Sequence, residues 1–530
     1  MDRQTLTAIV LCFLIFLGWQ KYYVEPRAQL AAQQQQQTQT AATQQQVAAA
    51  SNSQTSSSST LKEGTASTSS HAHVTKTVTT STGIATVGDN GQFFVGWNLK
   101  SYKLAIAPEA AAVDLKSVTN TDGELEVAFD HPDFAYLADV QGSLESTPHG
   151  VVWTYEDAKV KMVREISSDD QHPYANAVVT VNFKGKRPSY AFVSLASQSA
   201  EKDPEAQDRK LLYFSNNSLD QEVVQKTPAL KDVPLPVKWI AASNRYFLMS
   251  VVDQGLEPRG LVQPVAPHAG RVSLVYPVTG DSIKIPLKVY FGPKELDLLR
   301  MVDPTLDHAV DFGWFTAVAY PILKLMKFLF QFVKNYGLAI ILLTILLKLV
   351  TYPLTYKSVK SMKEMARIQP QLQKLREKHK DDREALNREM LTLMKSHGYN
   401  PMAGCLPILI QMPVFFALYR VLYSSIELYH APFGLWIHDL SYKDPLYVTP
   451  VLLAATMFIQ QKLTPNTATD PAQQKMLQFM PLIFGVMMIN LPSGLTIYML
   501  TNALASIIQQ TILNKKFDAA HSSALAARAR

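Results

Sequence analysis

One lysine sits where a lysine is costly. Residues 336–354 form an apolar run about one membrane crossing long, and Lys348 is the single charge in it. A charged group at such a depth costs about 3 kcal/mol on insertion scales and is a functional hypothesis by default. Two roles are open to Lys348. It lies four residues before Tyr352, about 6 Å of helix rise, so its long side chain could snorkel to the headgroups. It also has polar company. Thr344 is one turn earlier on the same helical face, and Gln411, Asn490, Asn502, Ser506 and Gln509 fall in other apolar runs. If these groups converge they form a wet pocket within the bilayer, where polar groups are tolerated.

Conventional chemistry has no foothold here. The chain has no G-x-x-x-x-G-K-[ST] loop, no G-x-G-x-x-G after a strand, no H-E-x-x-H and no G-x-S-x-G. Nothing therefore marks an ATPase, a metalloprotease or a serine hydrolase, and no catalytic residue, cofactor or metal site is expected. An ion-driven transporter usually carries carboxylates inside its spans; the apolar runs have none in their interiors. The two cysteines, Cys12 and Cys405, exclude a disulfide-stapled fold and a Cys-rich zinc module. A net charge of +6 over 530 residues does not suggest a DNA binder.

The polar groups must be positioned by membrane spans. Apolar runs at 336–354, 406–423 and 447–463 each fit one crossing, and 479–513 holds two short ones broken at Leu491-Pro492-Ser493-Gly494. Residues 6–19 form a sixth. Gln20-Lys21-Tyr22-Tyr23 follows it in place of a small-residue cleavage site, so it reads as an uncleaved anchor with Trp19, Tyr22 and Tyr23 at the interface. Residues 312–334 are interrupted by Lys324 and Lys327, while Trp314, Phe315, Val318, Ile322, Met326 and Leu329 recur at helical spacing. That pattern predicts an amphipathic helix lying in the interface. Eleven Lys or Arg lie within 356–400, against Lys443 as the single one within 424–446. The positive-inside rule places the first loop in the cytoplasm and the second outside, so both termini are cytoplasmic. The loop 356–400 has two runs at helical spacing and predicts a helical hairpin. Its charge suits either a solvated surface near lipid headgroups or a dock for the ribosome or a targeting factor.

Outside the membrane the texture changes twice. Residues 25–83 are Gln, Ala, Ser and Thr with few large apolar side chains and read as a disordered tether, with His71 and His73 an improbable metal pair. Beyond Gly83, alternating runs at 124–129, 150–155, 177–183, 271–276 and 283–290 predict half-buried strands of a large antiparallel sandwich. The expected plan is an anchor at 1–24, the tether at 25–83, a β-sandwich at 84–306 and an interfacial helix at 307–335. A span at 336–355, the hairpin at 356–400, four further spans within 401–513 and a basic tail at 514–530 complete it.

Four stretches make the chain recognisable. Residues 400–419 read Asn-Pro-Met-Ala-Gly-Cys-Leu-Pro-Ile-Leu-Ile-Gln-Met-Pro-Val-Phe-Phe-Ala-Leu-Tyr, and 431–440 read Ala-Pro-Phe-Gly-Leu-Trp-Ile-His-Asp-Leu. Residues 470–475 read Asp-Pro-Ala-Gln-Gln-Lys, and 491–495 read Leu-Pro-Ser-Gly-Leu. Together they resemble the signature of the YidC/Oxa/Alb membrane insertases, and the anchor, tether and outer β domain resemble its Gram-negative members. The resemblance implies a polytopic α-helical membrane protein of six spans with a five-helix insertase core and a large periplasmic antiparallel β-supersandwich. It implies residence in the bacterial inner membrane.

The resemblance also implies a mechanism without nucleotide: a hydrophilic groove open to the cytoplasm and to lipid draws in a client's polar tail, and the client's apolar helix slides into the bilayer. Lys348 stands where the family usually has arginine, so the charge is kept and the bidentate geometry lost. Thr344 and Tyr498 match positions that line the client's path. Met499 stands where relatives often have a second tyrosine. The implied groove comprises Lys348, Thr344, Gln411, Asn502, Ser506, Tyr498 and Met499. The implied slide, on the third and fifth spans, comprises Met412, Phe415, Phe416, Phe484 and Met487. Implied partners are nascent membrane proteins, including small ones such as ATP synthase subunit c, the Sec translocon with its accessory subunits, the ribosome, the signal-recognition-particle receptor and the phospholipid bilayer. The alternative is a non-catalytic scaffold linking the β domain to partner complexes.

Overall fold

The computed structural model describes residues 74–463, with gaps at 90–92, 108, 116–124, 139, 202–204, 234–235, 380–381 and 397–400, and then residues 481–528. The expected anchor 1–24, the tether up to His73 and the stretch 470–475 lie outside the described residues. Contacts divide the chain into two units. One holds Ala72–Lys360 with Met402–Arg530; the described residues of the other fall within Ser361–Pro401.

In the larger unit, alternation in the sequence becomes strand. Strand Ala175–Phe183 buries Ala175, Ala177, Val179, Val181 and Phe183 and leaves Asn176 and Asn182 exposed. It pairs antiparallel with Val160–Ser167 on one side and Ser282–Pro293 on the other. Among the described residues three antiparallel sheets of nine, five and four strands result. The first strand, Thr75–Thr79, starts ahead of the boundary expected at Gly83. Its threonines are polar to composition yet β-branched and suited to a pleated surface, and Val78 is buried.

The nine-stranded sheet has two apolar faces. Strand Phe247–Asp253 is buried along its whole length. Phe247, Met249 and Val251 belong to the core between the sheets, whereas Leu248 and Val252 belong to a second core with Trp239 and Tyr290. Helices α1 (Leu296–Val302) and α2 (Thr316–Val333) cover that second face. Helix α2 buries Ala319, Ile322, Leu323 and Met326, one stripe at helical spacing.

The same core continues into α3 (Tyr336–Lys378), α5 (Pro401–Ser424) and α8 (Ser493–Arg528), through Ile340, Leu343, Leu418, Val421 and Tyr498. Between α5 and α8 lie α6 (Val448–Leu463) and the short apolar α7 (Pro481–Asn490). Among the described residues Gly313–Val333 and Tyr336–Leu372 are long and apolar enough to cross a membrane. Helix α3 runs on past residue 355, where the sequence placed a boundary. Pro353 withdraws one helical hydrogen bond, and the strong helix formers Lys, Met, Gln and Arg that follow sustain the rest.

Polar contacts fasten the sheet to the helices where the shared core reaches the surface. The Lys327 ammonium lies 3.2 Å from Glu295, 2.7 Å from Asp297 and 3.7 Å from Glu427, whose side chain is 7% exposed. The Arg245 guanidinium stacks 3.8 Å over the Tyr423 ring and donates from Nε to the Tyr423 carbonyl at 2.7 Å. The Tyr423 hydroxyl donates to Asp208 at 3.0 Å.

In the smaller unit, α4 (Arg383–Ser396) is capped by Asp382, whose Oδ1 accepts from the N–H of Glu384 and Ala385. Glu389 of α4 lies 3.3 Å from His379 and 3.8 Å from Lys378.

The loop before α6 is organised by one buried carboxylate. Asp444 accepts from the Thr449 N–H at 2.7 Å, the Thr449 hydroxyl at 2.8 Å, the Leu446 N–H at 3.0 Å and the Trp436 indole at 3.0 Å. Burial pushes this carboxyl up, and the donors outweigh burial and hold it below the usual carboxylate range. A lowered folded-state pKa contributes stability that is present above the unfolded value and lost as pH falls through the folded one. Asp444→Asn should therefore cost about 2 kcal/mol at neutral pH. The gap from wild type, read by thermal unfolding in detergent, should shrink below about pH 4.

Candidate substrate groove

Helices α3 and α8 bring the intramembrane lysine to its partners. The Lys348 ammonium donates to the Ser506 hydroxyl at 2.7 Å. Ser506 in turn donates to the Asn502 carbonyl one helical turn earlier, at 2.7 Å. The Gln509 amide donates to the Lys348 carbonyl at 3.2 Å, fixing the register of the two helices. Gln509 Oε1 is buried and has no hydrogen-bond partner among the described residues. A buried, unpaired acceptor beside a charge marks a place where a further donor belongs.

The charge is left uncompensated. Among the described residues no carboxylate lies within ion-pair distance of Lys348, whereas Lys327 has three. A neutral hydroxyl satisfies one of the three ammonium protons without cancelling the charge. What this arrangement does chemically is attract: an acidic or strongly polar group entering from outside would find a positive charge in low-dielectric surroundings.

The other groove candidates divide. The Tyr498 hydroxyl and the Gln411 side chain face each other between α8 and α5. Thr344 is buried, but its hydroxyl donates to the Ile340 carbonyl of its own helix at 2.7 Å, so it does not bond Lys348. Asn502 contributes its carbonyl to Ser506, and Met499 is half-buried against Tyr498 and its neighbours. Asn490 is exposed at the end of α7. Of the slide candidates, Met412, Phe416 and Met487 are exposed, and Phe415 and Phe484 are half-buried.

Two connections escaped the sequence. Thr449 and Thr496 share a buried hydrogen bond of 2.9 Å between α6 and α8. Phe315, just before α2, stacks on Phe416 of α5 with ring centroids 5.4 Å apart. Neither pair is near in sequence, and no local periodicity signals either; aromatic residues at the ends of an amphipathic run are the single available hint for the second.

A β-sandwich sharing its core with a set of apolar helices is the plan of a membrane protein with a large water-facing domain. Residues 77–325 match the family described as the YidC periplasmic domain, and residues 328–520 match the family described as the 60Kd inner membrane protein. A "Membrane protein insertase YidC" of Maridesulfovibrio salexigens is 33% identical over 549 residues, covering 97% of this chain and 98% of its own. Another, of Geobacter metallireducens, is 45% identical over 317 residues, and the match covers 58% of each chain. A solved structure described as an active YidC insertase with its first transmembrane domain resolved aligns over 83% of this chain and 92% of its own, at 18% identity and a TM-score of 0.35. The chain belongs to the YidC family of membrane protein insertases. It is accordingly an inner-membrane protein with a periplasmic β domain.

The facing pair Gln411 and Tyr498 should couple in a double-mutant cycle of Gln411→Leu and Tyr498→Phe, read by thermal unfolding in detergent. The expected coupling is about 0.6 kcal/mol, the usual worth of an interhelical hydrogen bond in a membrane. Strict additivity of the two changes would mean that the side chains do not pair.

Proposed function

We propose that this chain inserts and folds inner-membrane proteins through a hydrophilic intramembrane groove, working by itself or together with the Sec translocon. The observation that carries the reading is the Lys348 ammonium, held by Ser506 and without a carboxylate partner among the described residues. Thr344, Gln411, Asn502, Ser506, Tyr498 and Met499 line the groove with it. A client's acidic or polar tail is drawn toward Lys348 from the cytoplasm. Its apolar helix then leaves along Met412, Phe415 and Phe416 of α5 and Phe484 and Met487 of α7, driven by transfer of apolar surface into lipid. No covalent step is needed.

The topology that serves this reading has six spans, both termini in the cytoplasm, the sandwich in the periplasm and α2 lying in the outer interface. The basic hairpin around α4 faces the cytoplasm, where the ribosome, the signal-recognition-particle receptor or anionic lipid would meet it. Clients are nascent membrane proteins, small ones such as ATP synthase subunit c among them.

An acidic group about 10 Å from the ammonium gains roughly 1.7 kcal/mol at an effective dielectric of about 20. Neutralising the charge should therefore slow insertion about tenfold. The test uses the purified full chain in proteoliposomes with a two-span client carrying an acidic outer loop, scored by protection from protease. Lys348→Arg should insert near the wild-type rate, Lys348→Met about tenfold more slowly, and Lys348→Glu more slowly still. Equal rates for Lys348→Arg and Lys348→Glu would remove the electrostatic role.

A further inference from the structure

The outermost strand of the nine-stranded sheet, Ser218–Val223, has a single strand neighbour among the described residues, Lys210–Ser215. The turn between them is Asn216 and Asn217, with φ of 50° and 59°. A two-residue hairpin of this kind makes Ser215 and Ser218 a pair that exchanges both backbone hydrogen bonds. Alternation then directs the backbone groups of Asp220 and Glu222 into the sheet and those of Leu219 and Gln221 off its edge. Among the described residues no hydrogen bond reaches the N–H or C=O of Leu219 or Gln221. Unpaired edges of this kind are templates for another extended chain.

This edge borders a cavity of about 410 Å³. Leu219 and Gln221 form one wall; Leu296 and Arg300 of α1, Val310, and Tyr320 of α2 contribute to the others. Two of the charged groups on these walls already have partners. Arg300 is held by Asp307 at 2.7 Å, and the Gln221 amide donates to Asp311 at 3.2 Å. The cavity thus offers free backbone groups beside walls of mixed character, with Leu219, Leu296, Val310 and Phe312 as their apolar part.

Its position gives it an occupant. Thr316 lines the cavity, and the preceding residue, Phe315, stacks on Phe416. Phe416 is a slide residue of the proposed function, so the cavity lies where that slide ends toward the β domain. We propose that the edge and cavity receive an extended, uncharged segment of the client as it leaves the slide, paired as an added strand along Leu219–Gln221. The proposal rests on the insertase reading for the identity of its occupant. Main-chain pairing is indifferent to side-chain sequence, which suits clients that share little of it, and the apolar part of the walls accepts alternate side chains. A lipid acyl chain could use the walls but has no use for the backbone N–H groups.

The test uses the full chain in liposomes and a short, uncharged peptide from a client's outer flank, carrying a photoreactive leucine. Crosslinks are mapped by mass spectrometry. They should concentrate on the strand 218–223 and α1. Gln221→Pro removes the outward N–H at a position where an edge strand tolerates proline. It should lower crosslinking about fivefold relative to Gln221→Ala, the weight of one backbone hydrogen bond. If Gln221→Pro does not keep the wild-type melting transition, Leu219→Trp, which fills the cavity, replaces it with the same expected loss. Equal crosslinking in the proline and alanine variants, or equal labelling of the opposite edge strand Ser143–Thr147, overturns the proposal. Protease protection of the whole client is scored in the same liposomes. Insertion without edge crosslinking overturns the docking site and leaves the insertase reading; edge crosslinking without insertion supports the peptide site and overturns the insertase reading.

Discussion

A positive charge placed among membrane helices must be hydrated, paired or bonded, and the arrangement around Lys348 follows from which of these it has. The bond to Ser506 orients the ammonium without neutralising it. The bond from Gln509 to the Lys348 carbonyl holds α3 against α8 at that level. An internal carboxylate would have made the lysine a structural ion pair, as Lys327 is with its three acids. Among the described residues none stands there, which costs stability and leaves the ammonium's field uncancelled.

Such a field is useful only if the helices that bear it hold still. The second hydrophobic core supplies that restraint, because it is shared between the outer face of the nine-stranded sheet and α2, α3, α5 and α8. The sheet is therefore a packing partner of the helices as well as a periplasmic domain. Arg245 on Tyr423 and Lys327 on Glu427 add direction to a core that would otherwise be apolar and non-directional.

Much of this was legible in the sequence because it rests on short-range rules. Alternation marks the strands at 175–183 and 282–293, and a lysine in an apolar run marks Lys348 whatever surrounds it. The strand Thr75–Thr79 was hidden because composition weighs threonine as polar and the pleat does not. That α3 runs unbroken past the expected end of its span was not legible, because a proline in a run of strong helix formers loses one bond and not the helix. The pairing of Thr344 with its own helix, in place of Lys348, reflects a carbonyl four residues back that is always within reach. The Lys327 cluster gathers acids 32, 30 and 100 residues from it in sequence (327 − 295, 327 − 297 and 427 − 327), and nothing local announces such a convergence.

The claim on which the account turns is that Lys348 acts through its charge on the client. A reciprocal exchange measures this most directly. Insertion of one client bearing an acidic flank, and of the same client bearing a basic flank, is compared between wild type and Lys348→Glu in the same proteoliposomes. The account predicts a crossover: wild type favours the acidic flank, Lys348→Glu favours the basic one, and the basic client recovers rate in the variant that slows the acidic client. A variant that slows both clients equally would contradict it and would make Lys348 a packing residue of the helix bundle.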